Sequence, residues 1–193
     1  MQNRTQGLSP GIEQLARKEI NKIPGFLNAI GHGTQAVGVT LYGGDGGNWH
    51  FAKVAETGNC QPIDIRAEGV LDDIHQYALR GRGKNHQLGF YPQWGGSTKA
   101  QSEGSCCLKV ECDTLSKDEQ LAALQAFEHC YDVQFSIVDT GGKSFHAYLA
   151  VDEVISVDRY QLVCRCFHQL LADTARMEGI AYEADDALLR GQM

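Results

Sequence analysis

The stretch VQFSIVDTGGKSFHAYLAV, residues 133–151, decides how this chain is read. Val133–Asp139 and Ser144–Val151 alternate apolar and polar side chains and are rich in β-branched and aromatic residues, so each predicts a strand. The glycine pair between them, Gly141 and Gly142, lets the chain turn back. Working outward, Ser116-Lys117-Asp118-Glu119 has the form of a capping box and opens a helix with Leu121, Leu124 and Phe127 turned inward. CCLKVEC (106–112) stands before it as another strand. Downstream, Tyr160, Val163, Cys164, Phe167, Leu170 and Leu171 keep the period of a long amphipathic helix. IAYEAD (180–185) then predicts a fourth strand.

The order strand–helix–strand–strand–helix–strand is the split βαβ arrangement, so the second half predicts a lobe like the RNA-recognition motif or ferredoxin. The first half reads differently. Ser9-Pro10 opens a helix through about Lys22, which Pro24 and Gly25 end. AVGVTLY (36–42) and NWHFAKV (48–54) predict a hairpin around GGDGG, RAEGVLDDIHQYALRG (66–81) a helix and HQLGFYP (86–92) a strand. The polar stretch QWGGSTKAQSEGS (93–105) suggests a lobe boundary near residue 104. The expected architecture is α+β, with an αβ lobe over 1–104 packed on a βαββαβ catalytic lobe over 105–193.

The 193 residues carry a net charge of −7, which taken whole argues against a polyanionic partner. Its distribution removes that objection. Residues 1–104 hold ten Lys/Arg against nine Asp/Glu, and residues 105–193 seven against fifteen, so the acidity sits in one half. No apolar run reaches the roughly 18 residues of a membrane span, and MQNRTQGLSPG lacks the apolar core of a signal peptide. A cytoplasmic location is expected. Seven cysteines, without paired C-x₂-C spacing, read as free and mostly buried thiols.

Parity along the strands sorts side chains by face. In the first strand of the second half, Leu108, Val110 and Cys112 go inward, leaving Lys109, Glu111 and Asp113 on an open face. Phe145, Ala147, Leu149 and Val151 go inward from the third, with Ser144, His146 and Tyr148 outward. Ile180, Tyr182 and Ala184 go inward from the fourth, with Glu183 and Asp185 outward. In the split βαβ order the first strand lies between the third and fourth, so Glu111, Asp113, Asp185 and His146 are expected on one patch. Carboxylates this close repel, and something positive must sit among them. Oxygen ligands suit Mg²⁺ or Mn²⁺. Gly141 and Gly142 offer backbone N–H groups to an anion, Lys143 a charge, and Ser144 and His146 hydrogen bonds. Metals beside a phosphate cradle describe a nucleoside-triphosphate site, where a hydroxyl attacks phosphorus in line.

VECD, then GGKSFH, then YEADD resembles the archaeo-eukaryotic primase superfamily, especially the primase-polymerases of phages and plasmids. The resemblance covers about residues 86–193. It implies that Glu111, Asp113 and Asp185 bind two divalent metals and are catalytic, and that Ser144 and His146 contact the incoming nucleotide. It further implies a single-stranded DNA template and template-dependent transfer from ribo- or deoxyribonucleoside triphosphates in the replication of a phage or mobile element. The first motif begins with Glu where Asp is more familiar, keeping the carboxylate one methylene longer. The superfamily commonly continues with a basic Arg-Leu-Pro-Gly segment, whereas this chain stops at LLRGQM; a trimmed domain of a longer protein, with helicase or accessory priming domains, is the expectation.

GGKS is not a nucleotide-binding P-loop: Ile137 stands where that motif needs its first glycine, and a strand follows. Asp186 competes with Asp185 as third ligand, parity favouring Asp185. RGRGKNHQ (80–87) places Arg80, Arg82 and Lys84 where they either grip template phosphates or form a solvated turn. Trp49 and Trp94 offer stacking surfaces, although packing is the better reading. His129 and His168 read as structural. A catalytically inactive nucleic-acid-binding replication module of the same fold is the alternative function.

Overall fold

Two antiparallel sheets carry the architecture. The computed structural model describes residues 14, 17–33, 36–42, 47–82, 87–91, 94–95, 102–139 and 142–185, with backbone alone at 82, 94 and 95. In the N-terminal half, residues 17–20 are helical, followed by α1 (Ile23–Ala29), β1 (Gly38–Tyr42), β2 (Trp49–His50), α2 (Val70–Arg82) and β3 (Gln87–Tyr91). Pro24 and Gly25 do not close a helix, as the sequence suggested. Pro24 lies in the first turn of α1, where its missing N–H has no intrahelical partner to lose. β1 is central in the order β2-β1-β3, and of the expected strand over 48–54 only Trp49–His50 forms. α2 packs closely on β1: a Cβ on Gly81 would lie 2.4 Å from Leu41 Cδ1.

In the second half, β4 (Trp94–Gly95), β5 (Ser102–Val110), β6 (Phe135–Asp139) and β7 (Phe145–Ile155) form a sheet in the order β4-β5-β7-β6. β5 runs through the 104/105 division. Registers Val110↔Ala147 and Ile137↔Ala147 set the strands so that Leu108, Val110 and Ala147 meet α3 (Lys117–Tyr131) and α4 (Val157–Met177) in one core. That burial removes apolar surface from water and drives the helices onto this face. The Ser116–Glu119 capping box forms as read. The phase of α3 is shifted, however. Gln120, Ala123, Leu124 and Phe127 are buried, and Leu121 is half-buried.

The expected fourth strand does not form. Residues 180–185 carry no ladder, because Ile180 N–H bonds back to Ala175 carbonyl at 2.9 Å and Tyr182 N–H to Ile180 carbonyl at 3.1 Å. β4, from upstream, pairs the far edge of β5 instead, at its beginning. Parity nevertheless survives without the ladder: Tyr182 is buried, Ile180 and Ala184 pack against the core, and Glu183 and Asp185 are exposed.

The face away from α3 and α4 is half covered rather than open. Cys107 and Tyr148 belong to the core of the N-terminal half, with Val37, Val39 and Ile74. Phe26 of α1 meets the Tyr148 ring edge-on at 5.4 Å. Gly31, at φ 78°, makes this approach possible, since a Cβ there would sit 3.0 Å from the Cys106 carbonyl oxygen. All seven cysteines are free thiols, five of them buried. No helix among the described residues is long and apolar enough to cross a membrane.

Candidate active site

Neighbouring antiparallel strands put β5 side chains at alternate positions beside those of β7. On the face away from the helices this brings Lys109 and Glu111 next to His146 and Tyr148. The end near Cys107 and Tyr148 is closed by α1, and the end near Glu111 and His146 is left partly accessible.

Glu111 is the centre of that accessible end. Lys109 Nζ donates to its Oε2 at 2.7 Å, and His146 Nε2 lies 3.2 Å from its Oε1. The three side chains are 24–28% exposed. The Glu111 carboxyl is held down to about 2, first by the His146 hydrogen bond and then by the bond and charge of Lys109, against the opposing effect of burial. The positive group demanded by the acidic face is therefore Lys109. Its parity with Glu111 was readable in the sequence, yet its role was not, because strand alternation gives a face and not a partner. From the N-terminal half, Tyr42 at the end of β1 comes within electrostatic reach. Its hydroxyl is pushed up by burial and by the Glu111 charge.

The other expected acids are placed differently. Asp113 is exposed in the bend after β5, and Asp185 is exposed in the irregular segment that follows α4. Among the described residues no three His, Cys, Asp or Glu side chains gather as a metal site. The donor chemistry still fits a hard cation. Glu111 is strongly ionised, and all three candidates offer carboxylate oxygens, the ligands of Mg²⁺ and Mn²⁺.

The turn between β6 and β7 also departs from expectation at one position. Strand β7 begins at Phe145, so Ser144 lies in the preceding bend and is only 5% exposed, not outward on the sheet. Gly142 and Lys143 are exposed. A residue given no role from sequence, Gln120 of α3, holds this turn. Its Nε2 donates to Leu115 and Lys143 carbonyls at 2.8 and 3.3 Å, and its Oε1 accepts from Phe145 N–H at 2.9 Å. A glutamine in an otherwise apolar helix face was the available signal.

Arg80 is exposed near the end of α2, and Arg82 ends that helix. β3 begins beside Tyr42, through the pairing Tyr42↔Gln87. Lys84 and Asp186 lie outside the described residues. Trp49 is half-buried; its carbonyl accepts from Thr40 Oγ1 at 3.0 Å and from the Tyr77 hydroxyl. The Trp94 side chain also lies outside the description. His129 is exposed, and His168, 2% exposed, sits with Nδ1 2.9 Å from the Tyr182 hydroxyl.

No protein-family model and no curated protein matches the chain. Among solved structures, the polymerase domain of Mycobacterium tuberculosis ligase D in complex with DNA superposes with a TM-score of 0.56. The match covers 100% of this chain and 74% of that one at 14% identity. The primase-polymerase AEP domain of cyanophage S-2L matches over 81% of this chain and 73% of that one, with a TM-score of 0.49 and 16% identity.

Proposed function

We propose that this chain, whose fold is of the archaeo-eukaryotic primase type, is the catalytic core of a DNA primase or primase-polymerase. The division into lobes at 1–104 and 105–193 belongs to the same proposal. The observation that carries the reading is the Glu111–His146 contact: it joins the acidic strand to the Ser-x-His strand on the face left free by the helices. The substrates are nucleoside triphosphates and a single-stranded DNA template, and the setting implied by the motif resemblance is replication of a phage or other mobile element.

In this reading the end of the growing strand attacks the α-phosphorus. A new P–O bond forms, the bond from the α-phosphorus to the α–β bridging oxygen breaks, pyrophosphate leaves and the hydroxyl proton passes to solvent. Glu111, Asp113 and Asp185 would hold Mg²⁺ or Mn²⁺, which supplies charge neutralisation at the phosphates and a more acidic hydroxyl. Glu111 orients His146 through Nε2. Lys109 offsets the charge of Glu111. Lys143, Ser144 and His146 bind the triphosphate through charge and directional hydrogen bonds. Arg80, Arg82 and Lys84 take template phosphates.

The test is incorporation of labelled nucleotide on a single-stranded template, with Mg²⁺ and then Mn²⁺. Extension that disappears in Glu111→Gln supports the proposal. Single-strand binding without extension or triphosphate binding would assign the chain to the inactive replication module instead.

A further inference from the structure

The first turn of α3 touches both ends of the β6–β7 turn. At one end Lys117 Nζ meets Asp139 Oδ1 at 2.5 Å, and at the other Gln120 bonds the Lys143 carbonyl and the Phe145 N–H. Gln120 also bonds the Leu115 carbonyl, two residues past Asp113. That side chain is 5% exposed, and it serves backbone groups on both segments. An apolar side chain there would leave partly buried backbone groups without these bonds.

We infer that the first turn of α3 is a clamp holding the Gly142–His146 segment in register with the acidic loop after β5, and that Gln120 is its positioning residue. The inference rests on the functional reading above: Gln120 touches no substrate, and acts by fixing Lys143 and the start of β7, hence His146. A turn between strands that is tied only by its own backbone samples several shapes. One tied at Asp139, Lys143 and Phe145 is preorganised, and a triphosphate then binds without the cost of ordering it.

The experiment compares wild type, Gln120→Met and Gln120→Glu by amide hydrogen exchange and by binding of a nucleoside triphosphate with Mn²⁺. Gln120→Met removes all three bonds at similar volume, and Gln120→Glu keeps the acceptor for Phe145. Exchange at Phe145 should rise about tenfold in Gln120→Met, the size of one lost hydrogen bond, and stay slow in Gln120→Glu. Triphosphate affinity should fall about tenfold in Gln120→Met and by clearly less when the same change is made in His146→Ala, where only the positioning of Lys143 remains to be lost. Should Gln120→Met fail to fold, Gln120→Glu still tests the pairing: fast exchange at Phe145 there overturns it. Unchanged Phe145 exchange in folded Gln120→Met overturns the clamp, and an equal loss of affinity in the His146→Ala background overturns its action through β7. If wild type binds no triphosphate, the functional reading falls, and the clamp is decided by exchange alone.

Discussion

His146 Nε2 stands 3.2 Å from Glu111 Oε1, across the boundary between β7 and the end of β5. The contact makes the imidazole and the carboxylate one electrostatic unit with Lys109, and the first prediction follows from it. The Glu111 carboxyl should titrate near 2 instead of 4.5. A depressed carboxyl contributes stability that is fully present above 4.5 and is lost as pH falls from 4.5 towards 2. The carboxyl carbon resonance of Glu111 should therefore not move between pH 7 and pH 4. In His146→Ala its midpoint should rise, since the largest stabilising bond to the anion has gone. A Glu111 midpoint of 4 or above in wild type would separate the two residues.

Asp113→Ala should leave the fold intact while abolishing nucleotide transfer. The side chain is exposed, and substitutions at such positions cost about 0.5 kcal/mol or less. Unfolding in urea and primer extension should thus separate cleanly, with extension down at least a hundredfold. Retained extension in the folded variant would take Asp113 out of the mechanism.

His168 governs a second pH window. Its burial pushes the imidazole down to about 4, so the folded state favours the neutral ring. The stability it confers is complete above 6.5 and is lost as pH falls from 6.5 to about 4, as the unfolded chain takes up the proton first. The full loss is about 3 kcal/mol, at about 1.4 kcal/mol for each unit. Denaturation series from pH 7 to pH 4.5 should show a shallower slope for His168→Gln than for wild type. Identical slopes would mean that His168 is not buried neutral.

Gly31→Ala should destabilise by about 2–4 kcal/mol. It combines a left-handed backbone angle of 78°, costing about 1–2 kcal/mol for a side chain, with a 3.0 Å approach to a backbone oxygen that has little freedom to retreat. Glycine 25 offers a control: nothing lies within 4 Å of an added Cβ. Equal stability of the two alanine variants, measured in urea, would show that α1 is not seated tightly on β5.

The second half was legible because its elements are long and strongly patterned. The capping box at Ser116 and the parity of β5 and β7 hold, and the period of α4 holds at Tyr160, Cys164, Phe167 and Leu171, whereas Leu170, expected inward, is exposed. Residues 180–185 show where such reading stops. Alternation of Tyr182 against Glu183 and Asp185 reports burial on one side, and burial does not require a paired neighbour. The site divides the same way. Glu111, one residue past β5, and His146 are brought together by the register of β5 with β7, whereas Asp113 lies in the bend two residues further on and Asp185 in a segment without a ladder, where alternation sets exposure and no register sets a neighbour. Ser144 fell one residue short of β7, and Gln120 was hidden because its bonds reach backbone atoms 5 to 25 residues away.

Cys107 and Tyr148 lend the N-terminal half part of its core, and this sets an order of events during synthesis. Residues up to Tyr91 leave the ribosome before either side chain has been made. Their hydrophobic cluster, with Val37, Val39 and Ile74, stays unfinished until residue 148 emerges. The half made first thus keeps apolar surface uncovered while the rest of the chain is synthesised, which is the condition that favours aggregation.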